Sequence, residues 1–160
     1  AFVAGKVDCA VTWEPWLSRA KTTPHGHVLA TTKEYPGIIA DTFVVHPRFA
    51  KNRPEDVKAI LRAWFKATEY LRDHPAEAAA IMAKHLELPA EELDAMLDGI
   101  RFPSYEDNLA FFGVTGTDNQ SEKMFSAAVS IWKNAGLIPE DKVLDPKSVY
   151  DLSFLRDLRK

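Results

Sequence analysis

One stretch constrains this chain more than any other: Gly5-Lys6-Val7-Asp8-Cys9-Ala10-Val11-Thr12-Trp13-Glu14-Pro15-Trp16. Gly5 can adopt the left-handed backbone that closes a helix. Residues 9–12 then form a short, mostly apolar run, the pattern of a strand covered on both faces. Pro15 cannot donate a ladder hydrogen bond, so such a strand stops near Glu14. Proline also suits the first turn of a helix, which places a short helix after Trp16. The expected product is a carboxylate flanked by two indoles at the carboxyl end of a strand. In open α/β sheets, ligands bind at that end.

Two further strands are expected. Residues 27–32 have an apolar centre and a β-branched end, and residues 38–45 make the most strand-like run, bounded by Pro36-Gly37 and Pro47. Asp41 interrupts that run. A carboxylate in an apolar strand needs a partner or a cleft, which makes Asp41 and Thr42 candidates beside Trp13, Glu14 and Trp16. Capping a neighbouring helix is the structural alternative for Asp41, and capping the following helix is the alternative for Glu14.

From Asn52 the period changes to helical. Asn52 and Glu55 have the spacing of a capping box. Val57, Ile60, Leu61, Trp64, Phe65, Thr68 and Leu71 fall on one stripe. Pro75 ends that helix at Asp73-His74, and Asp73 is placed to cap the next one, residues 75–86. Leu93, Met96, Leu97 and Ile100 mark a third helix. Residues 107–112 suggest a short helix closed by Gly113. A longer one runs from Ser121, with Met124, Phe125, Ala128, Ile131, Trp132 and Ala135 inward and Gly136 as the cap. Residues 147–158 suggest a last short helix.

The 160 residues are 46% hydrophobic and 27% charged. That is ordinary globular composition. With a net charge of −3, nothing favours nucleic acid or an anionic membrane surface. No apolar run reaches the ~18 residues a membrane span needs. The lone Cys9 cannot form an internal disulfide and reads as a small buried apolar side chain. His25-x-His27 lacks neighbouring Cys, Asp or Glu at metal-motif spacing. No nucleophile elbow or complete phosphate loop is present.

The Gly5–Pro15 motif resembles the Gly-x-(Val/Ile)-Asp-Ala-x-x-x-Trp-(Asp/Glu)-Pro segment of bacterial solute-binding proteins that feed ABC importers. The nearest branch is the nitrate/sulfonate/bicarbonate and NMT1-like group, with Cys9 standing where the family often has Ala. The resemblance continues through Pro36-Gly37-Ile38-Ile39-Ala40-Asp41, Arg53-Pro54-Glu55-Asp56-Val57-Lys58-Ala59 and His74-Pro75-Ala76-Glu77-Ala78-Ala79. It implies an α/β, two-lobe periplasmic binding protein fold (type II), represented by its C-terminal portion and helix-rich after residue 52. Residues 1–40 would belong to the second lobe, and residues 41–160 to the crossover and the mostly helical return to the first.

The implied function is capture of a small solute between the lobes and delivery to an ABC permease in the inner membrane. Trp13, Glu14, Trp16, Asp41 and Thr42 would bind the solute. No catalytic residue, metal or cofactor is expected. The implied location is periplasmic, and the missing N-terminal half of the same protein is an expected partner, carrying the signal peptide and most ligand contacts. Two alternatives stand beside this. Some NMT1-like relatives are enzymes that make a pyrimidine precursor, although the Cys-rich motif expected of them is absent. A ligand-sensing or helical interaction module is the other.

Overall fold

The computed structural model describes residues 1–35 and 38–158, and the expected Pro36-Gly37 break lies outside the described residues. Two compact units divide the chain. The first comprises Ala1–Pro36 and Glu69–Phe102, and the second comprises Gly37–Thr68 and Pro103–Lys160.

In the first unit, a 3-10 turn, Phe2–Ala4, closes on Gly5, whose φ of 63° is left-handed as expected. Helix α1, Trp16–Lys21, follows the Trp13 loop. The last turn of α3 (Pro54–Asp73) leads into α4, Pro75–Leu86, which begins and ends where the sequence places it. Asp73 does not cap α4. It pairs with Arg72 instead, and His74 takes the cap position without a side-chain bond. Helix α5, Ala90–Leu97, packs against α4 and buries Leu93, while α4 buries Ala78 and Ala79.

The second unit starts with a helix that the sequence reading lacks. Helix α2, Pro47–Asn52, is capped by His46, whose Nδ1 accepts the Arg48 amide at 3.1 Å. Asn52 therefore ends α2 rather than capping α3, and α3 opens directly on Pro54. Along α3 only Val57 and Phe65 are buried, whereas Ile60 and Trp64 of the expected inward stripe stay about half exposed, at 42% and 51%. Helix α6, Tyr105–Phe111, starts with a reciprocal cap. The Ser104 amide donates to Asp107 Oδ2 at 2.9 Å, and the Asp107 amide donates to Ser104 Oγ at 3.0 Å.

Phe65, Leu109 and Leu155 form the core of this unit, flanked by Tyr105, Phe112, Val114 and Leu158. Tyr105 meets Phe65 edge-on at 5.2 Å and donates its hydroxyl to the Leu155 carbonyl at 2.8 Å. Gly113 has a φ of 64°, and a Cβ there would lie 3.0 Å from Asn119, so glycine is needed on both counts. Asn119 in turn caps α7, Gln120–Asn134.

Three expectations are corrected here. On α7, Ile131, Trp132, Ala128 and Ala135 are exposed, and only Met124 and Phe125 of the expected stripe are partly covered. Periodicity selects a face, but cover requires another element. The expected helix over residues 147–158 is two pieces, a 3-10 turn Pro146–Ser148 and α8, Ser153–Asp157. Asp145 caps the 3-10 turn by accepting the Lys147 amide, whereas Asp151 accepts the Ser153 amide just ahead of α8, a local bond that competes with helix continuation. Cys9 is exposed, not buried.

The expected strands over residues 9–12, 27–32 and 38–45 do not form a ladder among the described residues, which contain helices and no strand. The sheet layer of the expected α/β architecture is therefore not seen. A helix satisfies its backbone from within one segment, but a strand needs a neighbour.

Candidate functional site

Trp13, Glu14 and Trp16 share one corner of the first unit. The Glu14–Pro15 bond is cis. Glu14 Oε2 accepts the Ser18 amide at 3.1 Å, and the Leu17 amide donates to the Trp13 carbonyl at 2.9 Å, which starts α1. Glu14 thus takes up one orphan donor at the helix start, as a capping side chain does. Its carboxylate also lies over Gly99, where a Cβ would stand 3.2 Å from both Cγ and Oε1. The loop after α5 is glycine at the point where Glu14 approaches it.

The two indoles remain open, Trp13 at 73% and Trp16 at 54% exposure. Each offers a flat face and an N–H donor. Sequence reasoning missed a cation at this corner. The Arg19 guanidinium sits 4.9 Å over the Trp16 ring and pairs with Glu92 of α5 at 3.0 Å. The signal was available, because residues three apart on a helix share a face. Lys33, also missed, donates to the Asp98 carbonyl at 3.2 Å.

Asp41 and Thr42 lie in the second unit, both exposed on irregular backbone. Among the described residues, neither side chain makes a hydrogen bond, so Asp41 does not cap a helix there. An open cleft of about 320 Å³ in the same unit is lined by His46, Arg48, Phe49, Asn52 and Arg53, none of them a sequence candidate. Arg53 is paired with Asp56 and lies 5.8 Å over the Phe49 ring.

The first unit thus offers aromatic surface, an anchored carboxylate and a paired guanidinium within one loop-and-helix corner. Such a set can hold a small polar molecule against a flat apolar wall.

Comparison with known proteins gives the following. A model of the NMT1-like family matches residues 1–87. The chain is 29% identical over 98 residues to the putative aliphatic sulfonates-binding protein of Bacillus subtilis (strain 168). That match takes in 61% of this chain and 29% of the relative, so the matched region spans under a third of the curated relative's length. No solved structure matches.

Proposed function

The chain belongs to the NMT1-like family, and from that premise we propose that it is the second-lobe and crossover part of a solute-binding protein serving an ABC importer. The observation that carries this reading is the similarity to a protein named as binding aliphatic sulfonates. The solute is a small organic molecule of the sulfonate or taurine-like kind. It is held in a cleft between two lobes outside the cytoplasm and handed to a permease in the inner membrane. Residues 1–40 belong to the second lobe and residues 41–160 to the crossover and return, with the N-terminal half of the protein forming the opposite wall.

The proposed roles follow from chemistry. Trp13 and Trp16 supply the apolar wall, and Arg19 supplies positive charge beside it. Glu14, and from the crossover Asp41 with Thr42, suit an ammonium or hydroxyl group. A zwitterion such as taurine would use both signs of charge. Binding is coupled to hinge closure, because contacts made only in the closed state shift the population toward it. No bond is made or broken.

The test is a thermal-shift and calorimetric screen of the full-length gene product against taurine, alkanesulfonates, nitrate, bicarbonate, amines and pyrimidines. One solute class is expected to raise Tm, since a ligand that binds only the folded state stabilises it. Trp13→Ala is expected to weaken that binding about tenfold or more, as removal of an aromatic anchor does. Absence of a shift with every solute, or an unchanged Kd in Trp13→Ala, would sink the reading.

A further inference from the structure

The corner that carries Trp13, Glu14 and Trp16 is held on one side by an element to which no candidate residue belongs. Helix α1 contains no buried side chain, so no core residue of its own fixes it. Three contacts tie this part of the chain to α5 and the turn that follows it. Arg19 pairs with Glu92 at 3.0 Å, Lys33 donates to the Asp98 carbonyl at 3.2 Å, and the Glu14 side chain lies against Gly99. Helix α5 is itself anchored, because it packs on α4 and buries Leu93. It also lies beyond residues 1–87, which the NMT1-like model matches, so that match assigns it no role.

Gly99 makes the most specific of the three contacts. Its φ lies outside the left-handed region, so its backbone does not require glycine. Space does. A Cβ there would stand 3.2 Å from Glu14 Cγ and Oε1 and 3.3 Å from the Met96 carbonyl oxygen. That carbonyl accepts the Gly99 amide at 3.0 Å within the last turn of α5 and cannot yield. The Glu14 side chain can, but its carboxylate is one rigid group whose Oε2 accepts the Ser18 amide at 3.1 Å. Pushing Oε1 aside therefore pulls Oε2 off that amide and loosens the start of α1, where Trp16 stands.

Glu92 acts on the opposite charge. A free arginine side chain spreads over many rotamers. Arg19 is held by two partners, the Trp16 ring at 4.9 Å on its own helix and Glu92 from α5. Of the two, only Glu92 comes from outside α1, so it fixes the direction in which the other guanidinium N–H groups point. Arg19 stays half exposed in this pair, which leaves those donors open to a ligand.

We propose that Glu92 and Gly99 are positioning residues of the solute site. Without touching the solute, they set where the Arg19 guanidinium and the Glu14 carboxylate stand. They thereby set the spacing between the anionic and cationic groups of the solute that fits. The inference rests on the solute-binding reading of this corner and deepens it by naming the second element that fixes specificity.

NMR of the Ser18 amide and calorimetry with taurine, on the same protein as the solute screen, test this. A short bond to a charged acceptor draws an amide proton resonance downfield, so Glu14→Ala is expected to move the Ser18 resonance upfield. Gly99→Ala is expected to move it the same way. The double variant is expected to move it no further than Glu14→Ala alone, because both changes act through one contact. A Ser18 resonance unmoved by Gly99→Ala, or additive shifts in the double variant, would overturn the proposal. The taurine Kd is expected to rise about tenfold in Gly99→Ala, the size of one lost hydrogen bond to a charged group. Glu92→Ala is expected to raise it too, while Glu92→Gln, which keeps an acceptor for Arg19, is expected to restore part of the affinity. A taurine Kd that falls in neither variant's favour but stays unchanged in both, while Trp13→Ala weakens binding, would remove the positioning role alone. If the wild type binds no solute of the screen, the solute reading falls alone, and the Ser18 comparison still decides whether Gly99 positions Glu14.

Discussion

Helix α6 and the stretch over residues 40–45 belong to the same unit and are similarly apolar, yet they end at opposite extremes of burial. Leu109, in the middle of α6, is 0% exposed, and Val44, in the middle of the other, is 79% exposed. The difference lies in where each finds its hydrogen bonds. α6 closes its backbone bonds within seven residues and takes its N-terminal cap from Ser104, so it can turn its apolar side against Phe65 and Leu155 without outside help. Residues 40–45 favour a conformation whose bonds must come from another segment. Hydrophobicity was therefore not the deciding term. Local satisfaction of the backbone was.

The largest test of that contrast is a pair of truncations in the 160-residue chain. Leu109→Ala removes a fully buried side chain and is expected to cost about 2–5 kcal/mol, the range for leucine deletions in a core. Val44→Ala removes a side chain that touches little and is expected to stay within about 0.5 kcal/mol. Urea unfolding followed by circular dichroism reads both. If Val44→Ala costs as much as Leu109→Ala, residues 40–45 are covered and the comparison fails.

A smaller test targets the cap itself. Ser104→Ala removes one half of the reciprocal bond with Asp107 and is expected to cost about 1 kcal/mol. Asp41→Ala, which removes a carboxylate without a hydrogen bond, is expected to leave the unfolding midpoint unchanged. Equal losses for the two would show that Asp41 is engaged and that the extended stretch has partners of its own.

What was legible in the sequence follows the same division. The bounds of α4 were readable because Pro75 sets its start and the apolar stripe from Ala78 to Leu86 is a local signal. The start of α6 was placed two residues late, at Asp107, although Ser104-Tyr105-Glu106-Asp107 carries the capping-box spacing that announces it. Helix α2 was hidden, since Pro-Arg-Phe-Ala-Lys-Asn has no stripe and its cap is a histidine nitrogen. The inward placement of Ile131 and Trp132 failed for a different reason. Period 3.6 names the face, and only a second element decides whether that face is covered.

The candidate site divides in the same way. Trp13, Glu14 and Trp16 were brought to one corner by the local chemistry of Pro15 and the start of α1. Glu14 proved to be a helix-capping side chain as well as a site candidate. Arg19 was missed although its spacing from Trp16 announces it, and its pairing with Glu92 could not be read, because those residues are far apart in the chain. Asp41 and Thr42 were chosen from an expected strand and crossover, and the described residues contain no strand that would position them.

The smallest expected effect is a pH dependence at the junction of α3 and α4, where the contact is local and exposed. A hydrogen bond to Glu77 raises the pKa of the Tyr70 phenol above its ordinary value of 10.0, with smaller contributions in the same direction from burial and from the Glu77 charge. The raised value means that folding favours the protonated phenol, which donates to the carboxylate. The contribution is therefore complete below the ordinary phenol value and is lost as pH rises through the higher, folded value. Tyr70→Phe deletes the donor but keeps the ring beside His74, whose centroid is 4.7 Å away. Wild type is expected to exceed Tyr70→Phe in urea midpoint by a small, constant margin from pH 7 to pH 9, and the margin is expected to close above pH 10. Because the pair is in solvent, salt should weaken only the charge part of the effect and leave the hydrogen bond. A margin that persists unchanged at pH 11 would mean that the hydroxyl acts through something other than its bond to Glu77. The α3–α4 junction would then no longer be an example of a segment satisfied by its own neighbours.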